Sequence, residues 1–436
     1  MRPQRLIAST LTVRGRTGDA AAFSRVARAS RRRSPAVMCW LALMTMVMGC
    51  EDQRKLTAPR APDSPEASLA MNPALVSQGR TIFRFDTFGD ETFWTDTLQM
   101  HTVIRTALSP AKALAVGLKV DADALPASIK AALRAGTIDL SAPATTVSLL
   151  KLGAVLGLVG QVDASNTLTR VGITCALCHS TVDNTLAPGI GSRLDGWPNR
   201  DLDVGAIIAL SPALTPAQRS VYSSWGPGMY DPRYSIDGQN HPVVQPPAFG
   251  LRHVKREVYT GDDVMSYWNT YVAVTQMHGH GRFVDPRIGV SVSNPPDLVS
   301  SKLDALRAYQ FSLETPPSVP GSVNAEAAAR GRAVFNGVGG CARCHRGSTF
   351  TDVNANVLHS AAEVGQDPAY ALRSVTKMYR TTPLRGLWHP PQLQGPYFHD
   401  GNAATLEAVV AHYVRLFGLN LTARRKADLV EYLKTL

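Results

Sequence analysis

Two five-residue strings constrain this 436-residue chain more than any other feature. Cys175-Ala-Leu-Cys178-His179 and Cys341-Ala-Arg-Cys344-His345 each place two thiols three positions apart, with a histidine directly after the second. Each thiol can add to one vinyl group of a haem, and the following imidazole then lies under the iron as proximal ligand. A redox dithiol has no use for that histidine, and zinc needs four ligands at suitable spacing. The strings therefore imply two covalently held haem c groups, with His179 on the first iron and His345 on the second. Any fold this chain adopts must seat both.

The length allows two or three domains with ample core. The net charge of +11 and pI near 9.5 suggest a nucleic-acid partner until the charge is located. Residues 1–49 hold nine arginines and one acid, Asp19, which leaves the remainder close to neutral. The basic character belongs to the leader and excludes nucleic acid as the expected partner. Arg31-Arg32-Arg33 precedes the apolar run Ala36 to Met48, and Val47-Met48-Gly49-Cys50 closes it. That is the layout of an export signal ending in a lipoprotein cleavage box, with Cys50 as the lipidated residue. The run is too short to span a bilayer comfortably. The expectation is a periplasmic protein of a Gram-negative bacterium, lipid-anchored through Cys50. Residues 1–50 are read as the signal and 51–70 as a flexible tether. With Cys39 lost in the signal and Cys50 lipidated, all four remaining cysteines hold haem and no thiol is left for a disulfide.

The phrase Gly331-Arg-Ala-Val-Phe335 lies in a helical stretch before Cys341, and Gly79-Arg-Thr-Ile-Phe83 echoes it far ahead of Cys175. A second echo joins Pro247-Ala-Phe-Gly-Leu-Arg252-His253 to Pro383-Leu-Arg385-Gly-Leu-Trp388-His389. We read an internal duplication. The expected fold is mainly α, with two cytochrome c-like haem domains at 71–313 and 323–436 joined by a linker at 314–322. The first domain is enlarged by an insertion, 84–174, containing a small β-hairpin. In it Val155 to Val162 and Thr167 to Thr174 pair across Asp163-Ala-Ser-Asn166.

The C-terminal third resembles the di-haem cytochrome c peroxidase superfamily. Thr382-Pro-Leu-Arg385, Gly395-Pro-Tyr-Phe-His-Asp-Gly401 and Thr405-Leu-Glu-Ala-Val-Val-Ala-His-Tyr413 carry the resemblance, which is clear only over about residues 325–436. It implies that Arg385, and Arg252 by the internal echo, lie near haem propionates. It also implies that His412 is the sixth ligand of the second iron, with Tyr413 the alternative. Some relatives bind calcium near the Thr-x-Pro stretch, which points at Thr381 and Pro383. The resemblance fails where peroxidase chemistry needs it. No histidine lies between His179 and His241, and the Trp-Asp-Gly-Arg segment is missing.

The sixth position of the first iron stays open among Met229, His253, Met265, Met277, His278 and His280, with Met277 or His280 the preferred choice. His399 reads as structural, closing a turn. Trp197, Trp225, Trp268 and Trp388 are candidates for electron relay or for plain core packing. No residue is assigned as catalytic. The expected function is electron transfer to and from a redox partner protein or a small donor or acceptor. The rival is a peroxidase-like oxidoreductase, with the first haem as reaction centre and the second as electron entry.

Overall fold

A computed structural model describes residues 72–388 and 395–436, which fall within one compact unit. The export signal, Cys50 and the tether lie outside the described residues. The first helix, α1 (Pro73–Phe85), starts where Asn72 accepts hydrogen bonds from the amides of Ala74 and Leu75 and proline fills the first turn. In the insertion, α2 (Met100–Ala107), α3 (Pro110–Ala115), α4 (Ala127–Arg134) and α5 (Pro143–Lys151) are short and broken by loops. The apolar faces of α2, α3 and α5 meet in a core around Ile104, Leu118, Val147 and Leu150, while Ile129 and Leu133 of α4 pack against a smaller cluster of Val120, Leu125, Ala154 and Ile190.

The expected hairpin is present as β1 (Leu158–Val162) and antiparallel β2 (Leu168–Ile173). Its turn is closed by the Asp163 carboxylate, which accepts from the amides of Ser165 and Thr167 at 2.9 Å, while Asn166 takes a left-handed φ of 60°. The strand delivers the first cysteine: the Thr174 amide bonds Gly157 and its hydroxyl bonds the Arg84 carbonyl. The single helical turn α6 (Ala176–His179) follows at once.

Beyond it come α7 (Met265–Tyr271), the hairpin β3 (Gly281–Asp285) with β4 (Val290–Asn294), and α8 (Leu303–Ser312). Irregular chain then leads to α9 (Ala325–Asn336), α10 (Leu406–Leu416) and α11 (Ala423–Leu433).

The two echoed glycines do the same work. Gly79 of α1 crosses α8 so closely that a Cβ would overlap the Ala305 carbonyl and press on Tyr309. Gly331 of α9 crosses α11 in the same way at Asp428 and Tyr432. Four residues on, each helix presents a buried phenylalanine edge-on to that tyrosine. Phe83 meets Tyr309 at 5.4 Å and 63°, and Phe335 meets Tyr432 at 5.2 Å and 67°. The repeated phrase thus encodes one helix crossing twice: glycine permits the approach, and the aromatic pair fills what lies beside it.

The two halves are tied by buried ion pairs. Arg373 grips Asp231 at 2.9 Å and Asp237 at 2.7 Å, with Arg373 and Asp231 both excluded from solvent. Arg233 pairs with Asp262 at 2.9 Å and also donates to the Arg373 carbonyl.

Candidate haem sites

At the first site, α6 holds Cys175, Cys178 and His179 in one turn, with the His179 amide bonded to the Cys175 carbonyl at 3.2 Å. The following loop returns to clamp it: Gly196 donates to the His179 carbonyl and Asn199 to that of Cys178. Burial pushes both thiols up to about 12. Burial likewise holds the His179 imidazole down at about 4, against the pull of the neighbouring Pro246 carbonyl. At the second site Cys341–Arg343 form a tight turn, and burial pushes Cys341 up to about 11 and Cys344 upward too. His345 Nδ1 lies 3.0 Å from the Phe350 carbonyl, which can only accept. The proton therefore sits on Nδ1, and the Nε2 lone pair is the one left for a metal.

Burial favours the neutral thiol in both strings. A thioether is neutral as well, so covalent haem attachment puts no new charge into the buried site.

Unpaired guanidinium groups give an independent test of fit. Among the described residues Arg200 buries Nε and Nη1 without a hydrogen-bond partner, as does Arg380, whose Nη2 reaches the Glu257 carbonyl at 2.8 Å and whose charge is opposed by the buried Glu257 carboxylate. Arg385 buries an unpartnered Nε while its Nη2 bonds the Ser348 carbonyl. Burial lowers all three, Arg380 to about 10. Cations so placed call for anions, and haem propionates are anions of the right kind. Arg385 packs on Gly250, which brings the two echoed Pro…Arg stretches together; Arg252 is half-buried beside that contact. Arg200 and Arg380 are additions that the sequence reading missed. Both act on the buried Tyr259 hydroxyl, one from each half of the chain. Neither sits in a motif, so only their convergence marks them.

On α10, His412 directs Nε2 to the Val364 carbonyl at 3.0 Å, and that nitrogen is the donor. Tyr413 is the neighbour that registers the second motif: burial first, then Cys344 and Cys341, push its hydroxyl up to about 12. The first motif has a counterpart in Tyr230. Its hydroxyl is driven well up by burial and by Cys178, and donates to Gln276 at 2.6 Å. Sequence reasoning had no reason to single out Tyr230, since a tyrosine in a two-residue ladder carries no motif.

The other candidates for the first iron are spread out. Met277 lies deep in the core with Phe83, Tyr271 and Phe283. His278, at φ 63°, stacks on Phe93 at 3.7 Å, and burial holds it at about 4. His280 donates from Nδ1 to the Pro295 carbonyl at 2.9 Å, which leaves its Nε2 lone pair free. Met265 packs with Leu251 and Phe311, Met229 pairs with Val244 in a short ladder, and His253 is exposed.

His399 is buried in a box of Tyr259, Tyr370 and Tyr379. Tyr379 gives its proton to the Asp367 carbonyl, so its oxygen accepts from His399 Nε2 at 3.0 Å. Trp268 lies under Arg233, Trp225 bonds Asn240, Trp197 packs on Phe249 and Trp388 bonds the Pro316 carbonyl.

Cys344, Asp352 and His359 also approach one another within 4.8 Å. Both His359 nitrogens face carboxylates, Asp352 at 3.0 Å and Glu363 at 2.8 Å. Burial opposes the charge, but the two carboxylates prevail and raise the His359 pKa. A doubly engaged imidazolium offers no lone pair to a metal. The Thr381 carbonyl, in the stretch singled out for calcium, accepts the Thr351 hydroxyl at 2.6 Å.

No family model matches the chain. Methylamine utilization protein MauG of Methylorubrum extorquens is 35% identical over 125 residues, covering 25% of this chain and 34% of MauG. The chain thus matches about a third of that relative's length. Two solved structures align more loosely. Hydrazine synthase of Kuenenia stuttgartiensis, pressurized with xenon, is 24% identical with a TM-score of 0.30 over 45% of this chain and 72% of that one. A MauG-like protein associated with microbial copper homeostasis is 21% identical with a TM-score of 0.31, over 44% and 73%.

The MauG match bears out the resemblance to the di-haem cytochrome c peroxidase superfamily over a partial segment. Among the described residues no helix is long and apolar enough to cross a membrane.

Proposed function

We propose that this protein is an exported c-type cytochrome that binds two covalent haems and transfers electrons between them and an outside redox partner. The observation that carries the reading is the pair of Cys-x-x-Cys-His strings, each folded into a single tight turn that sets both thiols and the histidine side by side. Bound haem would supply one-electron chemistry at iron. The chain's own residues do the rest. The four cysteines would fix the groups in place. The Phe350 carbonyl orients His345, and Arg200, Arg380, Arg385 and Arg252 would meet propionate charge. The sixth ligand at the second site would come from α10. There His412 would be the ligand and Tyr413 the alternative, the two rings lying 5.0 Å apart on the helix. Met277 or His280 remains the proposal for the first iron, and calcium near Thr381 and Pro383 a further element.

Mass spectrometry of mature protein tests this first. The expected mass exceeds the polypeptide by two haems, and the bare polypeptide would end the proposal. Periplasmic placement through lipid on Cys50 is tested by fractionation. Cys50→Ser should release the protein from membranes, and unchanged fractionation would remove the anchor.

The MauG match favours a second reading, a peroxidase-like oxidoreductase with the first haem as reaction centre. Iron spin state separates the two. Two low-spin haems indifferent to peroxide fit the carrier, whereas a high-spin first haem that reacts with peroxide fits the enzyme.

A further inference from the structure

A cavity of about 220 Å³ opens between α3, α4 and α5. Leu114, Leu118, Ile129, Leu133, Leu149 and Val155 line it. The polar side chains in the wall are already spent on the backbone. Thr145 donates to the Asp139 carbonyl at 2.8 Å, Thr146 to Leu108 at 2.7 Å and Ser148 to Ala144 at 3.0 Å. Nothing remains to hold water, and the volume exceeds the roughly 150 Å³ of an apolar cavity that stays dry and takes up benzene. An empty space of this size forfeits dispersion contacts that a hydrocarbon would restore.

The cavity has a door. Helix α4 has no buried residue and faces the cavity with Ile129 and Leu133, one turn apart. Leu140 and Leu152, 36% and 41% exposed, also line the space and carry its apolar surface outward to solvent. The helix positions directly after the two α4 contacts are basic, Lys130 and Arg134. The acid beside Leu140, Asp139, is tied down by the amide and hydroxyl of Ser141.

We propose that this cavity binds a fatty carboxylate, its alkyl chain inside and its head on Lys130 and Arg134 at the rim, with α4 as the lid. The chain needs no hydrogen bond and the wall offers none; the head is anionic, and Lys130 and Arg134 stand next in sequence to the two α4 wall residues. The site is independent of the haem reading.

Calorimetric titration of the purified haem-loaded protein with monomeric sodium decanoate tests it. One saturable site is expected. Leu133→Trp, which fills the cavity from the lid, should weaken binding at least tenfold with the haem spectrum unchanged. Lys130→Glu with Arg134→Glu should weaken decanoate several-fold and leave 1-decanol unaffected. Should Leu133→Trp fail to fold, the surface pair decides alone. Absence of saturation, equal binding to the filled variant, or indifference to charge reversal would overturn the proposal. Uptake of anionic phospholipid vesicles without monomeric decanoate would overturn it too, moving the site to a membrane lipid.

Discussion

Gly331 meets the carbonyl of Asp428 at a helix crossing that leaves no room for a methyl group, and Gly79 meets Ala305 in the same way in the other half. Alanine at either position gains about 1 kcal/mol of helix propensity over glycine. It must also force apart two backbones, and overpacking of this kind costs about 1–3 kcal/mol, here at the upper end because the obstacle is backbone. Gly79→Ala and Gly331→Ala should each lower the denaturant midpoint. A variant as stable as the parent would mean that the crossings are looser than described.

Arg373 holds Asp231 and Asp237 with its side chain 3% exposed and that of Asp231 fully buried. Arg373→Ala leaves the Asp231 charge in the interior, which should cost about 3–5 kcal/mol in urea unfolding. Replacing both Arg373 and Asp231 by apolar residues should recover part of that loss, because no lone charge remains. Equal losses in the single and double variants would contradict a buried-charge penalty.

Asp90 is fully buried and its carboxyl is raised to about 9, first by desolvation and then by Glu91 and Asp86, against the Ile173 amide. A raised folded-state value gives stability that is complete at low pH and drains away as pH climbs from about 4 towards 9. The unfolded chain ionises over that window while the folded one does not. The loss by pH 7 is on the order of 4 kcal/mol at most. Asp90→Asn has no such proton to lose. Its stability should overtake the parent's as pH rises, in melts at pH 5, 7 and 8.5. Parallel pH profiles would show that Asp90 ionises normally.

Tyr413 and His412 separate by spectroscopy. His412→Ala should alter the optical and paramagnetic spectrum of the C-terminal haem alone, and Tyr413→Phe should leave it nearly unchanged. The reverse outcome moves the ligand to Tyr413.

Much of the architecture is legible before any coordinates. The Gly-Arg-x-aliphatic-Phe phrase marks two helices because its glycine and phenylalanine lie one turn apart, and the hairpin follows from alternation around an Asp-Ala-Ser-Asn turn. Boundaries drift by a few residues. The α8 helix begins at Leu303 after a tighter 3-10 turn, Ser300–Lys302, and α7 ends at Tyr271, where a wider π turn, Val272–Gln276, takes over. The site is only half legible. The family resemblance implies His412, with Tyr413 the alternative, and adjacent helix positions differ in the direction they face. Arg252 and Arg385 stand out by repetition, whereas Arg200 and Arg380 do not repeat.

The sequence alone determined where porphyrin can be attached, because that chemistry is complete within five consecutive residues and needs no distant partner. Only the tertiary structure decided which guanidinium groups are buried with unpartnered nitrogens among the described residues. Arg200 and Arg380 converge on Tyr259 from opposite halves, and desolvation is a property of what surrounds a group after folding.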